Sequence, residues 1–279
     1  MSTWLSSDQH FNLPGRANDF RNREAWLKTC TDIYCANERM VTLGDLFAWL
    51  QVQALRPSLQ HLSWTKTMDA IWCANGEELE ALWAILDVAV VGNHDWALCG
   101  RSWRGVEFVP KAVAAGVYFT HGSEHDWWIA NDPMRAERIA RWVAWAEWFI
   151  HRDADLWAAN AWRWLTGTGR HGENDSYWRP IAEDADRAGC DSAFFAHTHQ
   201  WGTRTVAWKT GGRRMIRPVI QQEKILQYGA DPQPDTPVFG KIESVSPVVV
   251  HRVRVFNTGS WTEDNTDVTC IFKGRARCD

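Results

Sequence analysis

The stretch Asp87-Val88-Ala89-Val90-Val91-Gly92-Asn93-His94-Asp95 constrains the fold of this chain more than any other. Val88 to Val91 is a short apolar run rich in β-branched residues, which reads as a buried strand. Gly92 breaks it, and three side chains able to bind metal or carry protons follow at once. A strand ending in a glycine turn delivers such groups to the carboxyl edge of a sheet, where α/β proteins build their sites. On its own, such a stretch is more often a capped strand end with ordinary polar turn residues. Four similar strand ends elsewhere in the chain change that reading.

Residues 3–7 read as a short edge or opening strand that delivers Asp8-Gln9-His10. On an extended backbone, residues two apart point to the same side, so Asp8 and His10 are expected to reach one ion. Residues 40–43 form a second buried strand ended by Gly44-Asp45. Residues 116–120 deliver His121-Gly122, and residues 192–196 deliver His197-Thr198-His199, another same-side pair. Between these strands, residues 19–37 carry an amphipathic helical pattern, and 46–86 are mostly helical, broken at Arg56-Pro57 and Asn75-Gly76. Residues 203–209 and 248–256 alternate as antiparallel strands do, 257–261 make a turn, and 267–273 form a last strand. Strands with helices early and hairpin-like strands late predict two stacked mixed sheets covered by helices.

At 279 residues and 45% hydrophobic, the chain can bury a full core as one domain with insertions. A net charge of −4 provides no global basic field, which disfavours a bulk nucleic-acid binder. The seven cysteines form no C-x-x-C pair, so reduced thiols in a cytoplasmic protein are expected. The first residues lack a signal-peptide pattern, and no apolar run is long enough for a spanning helix. Peripheral membrane contact and the oligomeric state are left open.

Five strand ends thus offer Asp8, His10, Asp45, Asn93, His94, His121, His197 and His199. Mixed imidazole and carboxylate donors suit divalent transition ions, with manganese expected first and iron, zinc, nickel or cobalt as alternatives. Two such ions need a shared carboxylate, and Asp45, alone at its strand end, is the natural bridge. An ion pair about 3.5–4 Å apart clamps both the attacking and leaving oxygens of a phosphate and generates hydroxide near neutral pH.

The series D-x-H, G-D, G-N-H-D, H-G and H-x-H, in that order, resembles the calcineurin-like metallophosphoesterase superfamily. Gly44-Asp45-Leu46-Phe47 and Asn257-Thr258-Gly259-Ser260-Trp261 look most like the branch related to UDP-2,3-diacylglucosamine pyrophosphohydrolases. The resemblance implies a four-layer α/β/β/α sandwich and a hydrolase of phosphoester or pyrophosphate bonds. One metal would take Asp8, His10, Asp45 and His199, and the other Asp45, Asn93, His121 and His197. His94 would be the proton donor or transition-state stabiliser, with Asp95 orienting it. Ala48 and Ala196 depart from the family pattern without removing a ligand. The lipid A branch often carries arginine where this chain has His94, which argues against that particular substrate. No expected ligand is missing, which argues against a non-catalytic scaffold on the same fold.

Substrate choice is expected in a helical, lid-like insertion at about 123–189 and a loop insertion at about 210–247. Ile139, Trp142, Val143, Ala146, Phe149 and Ile150 recur at helical spacing, which reads first as a face packed on the body. Trp145 and Trp148 fall on the other face, where they could stack on a base or hold acyl chains. Arg135, Arg213 and Arg214 are candidate phosphate contacts, with solvated surface the competing meaning. The expected partner is a small phosphorylated substrate or nucleotide derivative, with nuclease or phosphodiesterase action on nucleic acid as the alternative.

Overall fold

The computed structural model describes residues 3–14, 20, 23–55, 63–125, 138, 142, 145, 149, 175–197, 201–210, 219–221, 249–258 and 271–272. Their strands, in chain order, are β1 (Thr3–Ser6), β2 (Arg39–Leu43), β3 (Leu86–Val90), β4 (Ser102–Trp103), β5 (Val106–Val109) and β6 (Lys111–Ala114). There follow β7 (Val117–Thr120), β8 (Ser192–Phe195), β9 (Trp201–Thr210), β10 (Val219–Gln221), β11 (Val249–Thr258) and β12 (Ile271–Phe272). They make two six-stranded sheets, in the orders β12-β1-β2-β3-β5-β4 and β10-β9-β11-β8-β7-β6. The first sheet is parallel from β1 through β5, with β12 and β4 antiparallel at its margins. The second is parallel across β7, β8 and β11 and antiparallel outside them. Both sheets are therefore mixed, as expected.

Helices α1 (Arg23–Cys35), α2 (Trp49–Leu55), α3 (Trp64–Ala74) and α4 (Gly76–Trp83) belong with the first sheet. Trp26, Cys30 and Ile33 of α1 recur at the helical period and are buried in one cluster with Met68, Ile71, Leu79, Leu82 and Ala89. Helix α5 (Asp175–Arg187) covers the second sheet, packing Trp178, Ile181, Ala182 and Ala185 against Val206, Val253 and Val255. A third cluster joins Leu5, Val41, Leu43 and Val90 of one sheet to Val117, Phe119, Phe194 and Ala196 at the other. Alternation along β2 sends Met40 toward the helices and Val41 and Leu43 toward the facing sheet. A strand buried on both faces is apolar at nearly every position, and Met40-Val41-Thr42-Leu43 departs from this only at the buried Thr42. The whole is α/β and compatible with a sandwich.

The chain passes from the first sheet to the second between β5 and β6, across the single residue Pro110. Proline has no N–H to give to a ladder, so it suits a point where one sheet stops and another begins.

Four expectations need correction. Strand β1 is not an edge, because β12 pairs with it and covers hydrogen-bonding groups that would otherwise be bare. The end of the expected lid is not a lid: α5 is part of the core of the second sheet. Within the expected loop insertion, β10 extends that sheet by pairing with β9. Asn257 and Thr258, expected in a turn, are the buried end of β11, where the Thr258 hydroxyl donates to the Phe195 carbonyl at 3.3 Å. The break at Arg56-Pro57, Thr198, and the segment Gly259-Ser260-Trp261 lie outside the described residues.

Candidate metal centre

Strands β1, β2, β3, β7 and β8 all release their chains at one edge, where the candidate ligands gather. The loops after β1 and β2 are laced together. Asp8 N–H donates to Gly44 O (3.1 Å), His10 N–H to Asp45 O (2.9 Å), and Phe11 N–H to Leu46 O (2.9 Å). Asp8-Gln9-His10 is not extended as expected: φ is 55° at Asp8 and 52° at His10. Asp45 (50°) and His197 (63°) share this left-handed conformation, although none is glycine. Each such residue costs about 1–3 kcal/mol, and such strain gathers where a site must present side chains in a fixed way.

At the middle of the site, His121 Nδ1 lies 2.7 Å from the Leu43 carbonyl. A carbonyl only accepts, so Nδ1 carries the hydrogen and Nε2 is left to face the pocket. There Nε2 lies 3.2 Å from Asp45 Oδ2 and 3.2 Å from Asn93 Oδ1. Three electron-pair donors thus converge on one point, an arrangement that calls for a cation, either a proton on the imidazole or a metal ion. Asp45 and His121 are both almost wholly buried. Burial alone would push the Asp45 carboxyl up, but the imidazoles of His121, His94 and His10 together hold it well below the usual range. Burial works against the His121 imidazolium, yet the Asp45 carboxylate raises its pKa above the ordinary histidine value.

Two sets of donor atoms each lie within 4.8 Å of one another: Asp8, Asp45 and His121, and His10, Asp45 and His94. Asp45 belongs to both. The rings of His10 and His94 meet edge to face at 4.7 Å, and those of His121 and His197 at 5.1 Å. The imidazoles therefore divide into two pairs about Asp45. Asp8 falls with His121, whereas the resemblance implied a partnership with His10. The donor set of carboxylates, imidazoles and one amide oxygen fits divalent transition ions.

Two glycines make room for this geometry. A Cβ on Gly92 would overlap the Asp45 carboxylate, and one on Gly44 (φ 94°) would overlap the His121 ring. Asp45 Oδ1 also accepts the His94 backbone N–H at 2.8 Å, which fixes the start of the His94 side chain. His94 Nδ1 is buried and has no hydrogen-bond partner among the described residues. Asp95 departs from its expected role of orienting the His94 ring. Its carboxylate accepts the backbone N–H groups of Gly92 (2.6 Å) and Phe47 (3.2 Å), tying the loops after β2 and β3 together. Burial, then the charge of Asp45, pushes the Asp95 carboxyl up to about 7, with those two N–H groups opposing.

Several contributors carry no sequence signal. The Leu43 carbonyl acts through the main chain. Asn75, between α3 and α4, donates to the Asn12 carbonyl at 2.8 Å and so braces the loop after β1. Tyr177 at the start of α5 brings its ring to 5.7 Å from that of His197. Of the remaining candidates, His199, Arg135, Trp148, Arg213 and Arg214 lie outside the described residues. Trp145 is exposed, stacked on Phe149 at 5.7 Å and edge-on to Trp142 at 6.1 Å. Trp142 and Phe149, expected on a packed face, are exposed with it, since spacings of three and four place all three on one side of a helix.

Neither a family model nor a curated protein matches this chain. Among the described residues, no helix is long and apolar enough to cross a membrane.

Proposed function

We propose that this chain is a dinuclear metal-dependent hydrolase of phosphoester or pyrophosphate bonds, built on the α/β/β/α sandwich of the calcineurin-like metallophosphoesterases. The observation that carries the proposal is the convergence of His121 Nε2, Asp45 Oδ2 and Asn93 Oδ1, with Asp45 common to both donor sets. Asp45, Asn93, His121 and His197 would hold one ion. His10 and Asp45, with His199, would hold the other, and Asp8 would serve the His121 side, manganese being the first choice. When bound, such a pair supplies Lewis acidity toward phosphate oxygens and makes water acidic enough to ionise near neutral pH.

The protein's own groups do the rest. The Leu43 carbonyl fixes the His121 tautomer, and the Asp45 carboxylate lies open to both sides of the site. Asp95 keeps the Gly92 turn closed over Asp45, so the carboxylate has little freedom to swing away. His94, half-buried and anchored by its own N–H, donates a proton from its imidazole to the departing oxygen. The net charge of −4 favours small phosphorylated substrates over extended nucleic acid.

The test is a substrate screen of manganese-loaded protein against phosphomonoesters, phosphodiesters, nucleoside-diphosphate sugars and single-stranded DNA. Turnover that disappears with a chelator and returns with manganese is expected. Absence of metal-dependent turnover throughout the screen, with fewer than two bound ions by elemental analysis, would overturn the proposal.

A further inference from the structure

At the opposite edge of the second sheet, three side chains form a hydrogen-bonded series with no part in the metal centre. Asp186, in the last turn of α5, places Oδ2 at 2.8 Å from His251 Nδ1 on β11. His251 Nε2 lies 2.6 Å from Thr210 Oγ1, at the end of β9. A carboxylate only accepts, so Nδ1 must carry the hydrogen. In the neutral imidazole Nε2 then offers a lone pair, and the Thr210 hydroxyl donates to it. The Trp208 indole lies flat against the imidazole, with centroids 5.0 Å apart and planes 9° from parallel, which stops the ring from swivelling. Register explains the grouping. His251 is the Cα partner of Trp208, and Thr210 is two residues along the same face from Trp208.

A hydroxyl, a base within hydrogen-bond reach, and a carboxylate holding the base in the productive tautomer are the parts of an activated nucleophile. Thr210 is exposed, so an incoming carbonyl can reach it. Val249, its Cα partner, is 49% exposed and gives an apolar seat beside the hydroxyl. We infer that Thr210, His251 and Asp186 form a second reactive centre, which takes activated carboxylic esters of small apolar acyl groups.

In the first step Thr210 Oγ1 bonds to the acyl carbonyl carbon and its proton passes to His251 Nε2. The ester C–O bond breaks, and the departing oxygen takes that proton. Water then repeats the sequence on the threonyl ester, releasing the acid and restoring the hydroxyl. Asp186 lies nine residues beyond Tyr177 on α5, about 14 Å along the helix axis from the end that meets His197. The two centres are thus separate, and this inference does not rest on the metal reading.

The experiment treats the full chain, with manganese and with chelator, with p-nitrophenyl acetate. A burst of nitrophenolate equal to the protein concentration is expected in both conditions, with an acetyl adduct on the peptide carrying Thr210. Thr210→Val, a near-isosteric change suited to a strand, should abolish the adduct while leaving melting unchanged. His251→Phe keeps a ring against Trp208 and should slow labelling by about 10²–10⁴-fold. Thr210→Ser should label at least as fast as the parent chain, which keeps the test open should the valine variant fail to fold. No burst from the parent chain, an adduct on another residue, or labelling unchanged in the valine or phenylalanine variant overturns the inference.

Discussion

A carboxylate that faces imidazoles on both sides cannot become an amide without changing what the pocket can hold. Asp45→Asn keeps the size of the side chain but removes the charge that the two donor sets share. Metal affinity should therefore fall by more than the 10- to 100-fold (roughly) that follows loss of an outer-shell partner, as read by titration calorimetry. Gly92→Ala should produce a similar loss without touching a ligand, because its methyl would overlap the Asp45 carboxylate. His94→Ala should retain bound manganese by elemental analysis and lower turnover by about 10²–10⁴-fold, less for a nitrophenolate leaving group, which needs little protonation. Equal loss for good and poor leaving groups would assign His94 to charge stabilisation. At this scale the gathering of Asp8, His10, Asp45, His94 and His121 was legible, because each lies close after a strand and the motifs have short spacing. The left-handed backbone at Asp8, His10, Asp45 and His197 was not, since nothing in an aspartate or histidine announces a positive φ.

Elements hold the site in place through bonds that cross between them. Asn75 also accepts from Arg23 at 2.9 Å, so the loop after β1 is braced through Asn75 to α1. Asn75→Ala leaves the buried Asn12 carbonyl without that donor and should cost about 1–3 kcal/mol in denaturant unfolding. Helix α1 carries its own titration. Burial pushes the Cys30 thiol up to about 12, while an unfolded thiol ionises near 8.5 (approximately). The folded state keeps the proton that the unfolded chain gives up. Stability is thus complete below the unfolded value and falls as pH rises toward the folded one, by up to about 1.4 kcal/mol per pH unit. Unfolding measured at stepped pH above 8.5 (roughly) should show this slope, and Cys30→Ala should reduce it. Helices were legible from apolar stripes such as Trp26, Cys30 and Ile33. The inner position of β1 was not, because its second neighbour, β12, comes from a distant part of the sequence.

Across the whole molecule, the cluster between the sheets and the candidate metal centre do related work, since each draws on both sheets. Phe119→Ala opens that cluster and should cost about 3–5 kcal/mol, in one transition rather than two, because its side chain lies where the two sheets pack on each other. Manganese at a hundredfold excess over its dissociation constant should add about 2.7 kcal/mol to stability, a gain that Asp45→Asn should remove. Two mixed sheets with helices could be read from the order of strand and helix patterns. The passage between sheets could not, because a lone Pro110 does not announce that the strands on its two sides belong to different sheets. That one-residue passage also marks where the polypeptide could be cut. A fragment ending near Val109 would carry Asp8, His10, Asp45 and Asn93, and the complementary fragment His121 and His197. Neither piece alone would own a complete centre, so the two together would behave as a split reporter whose reassembly depends on manganese.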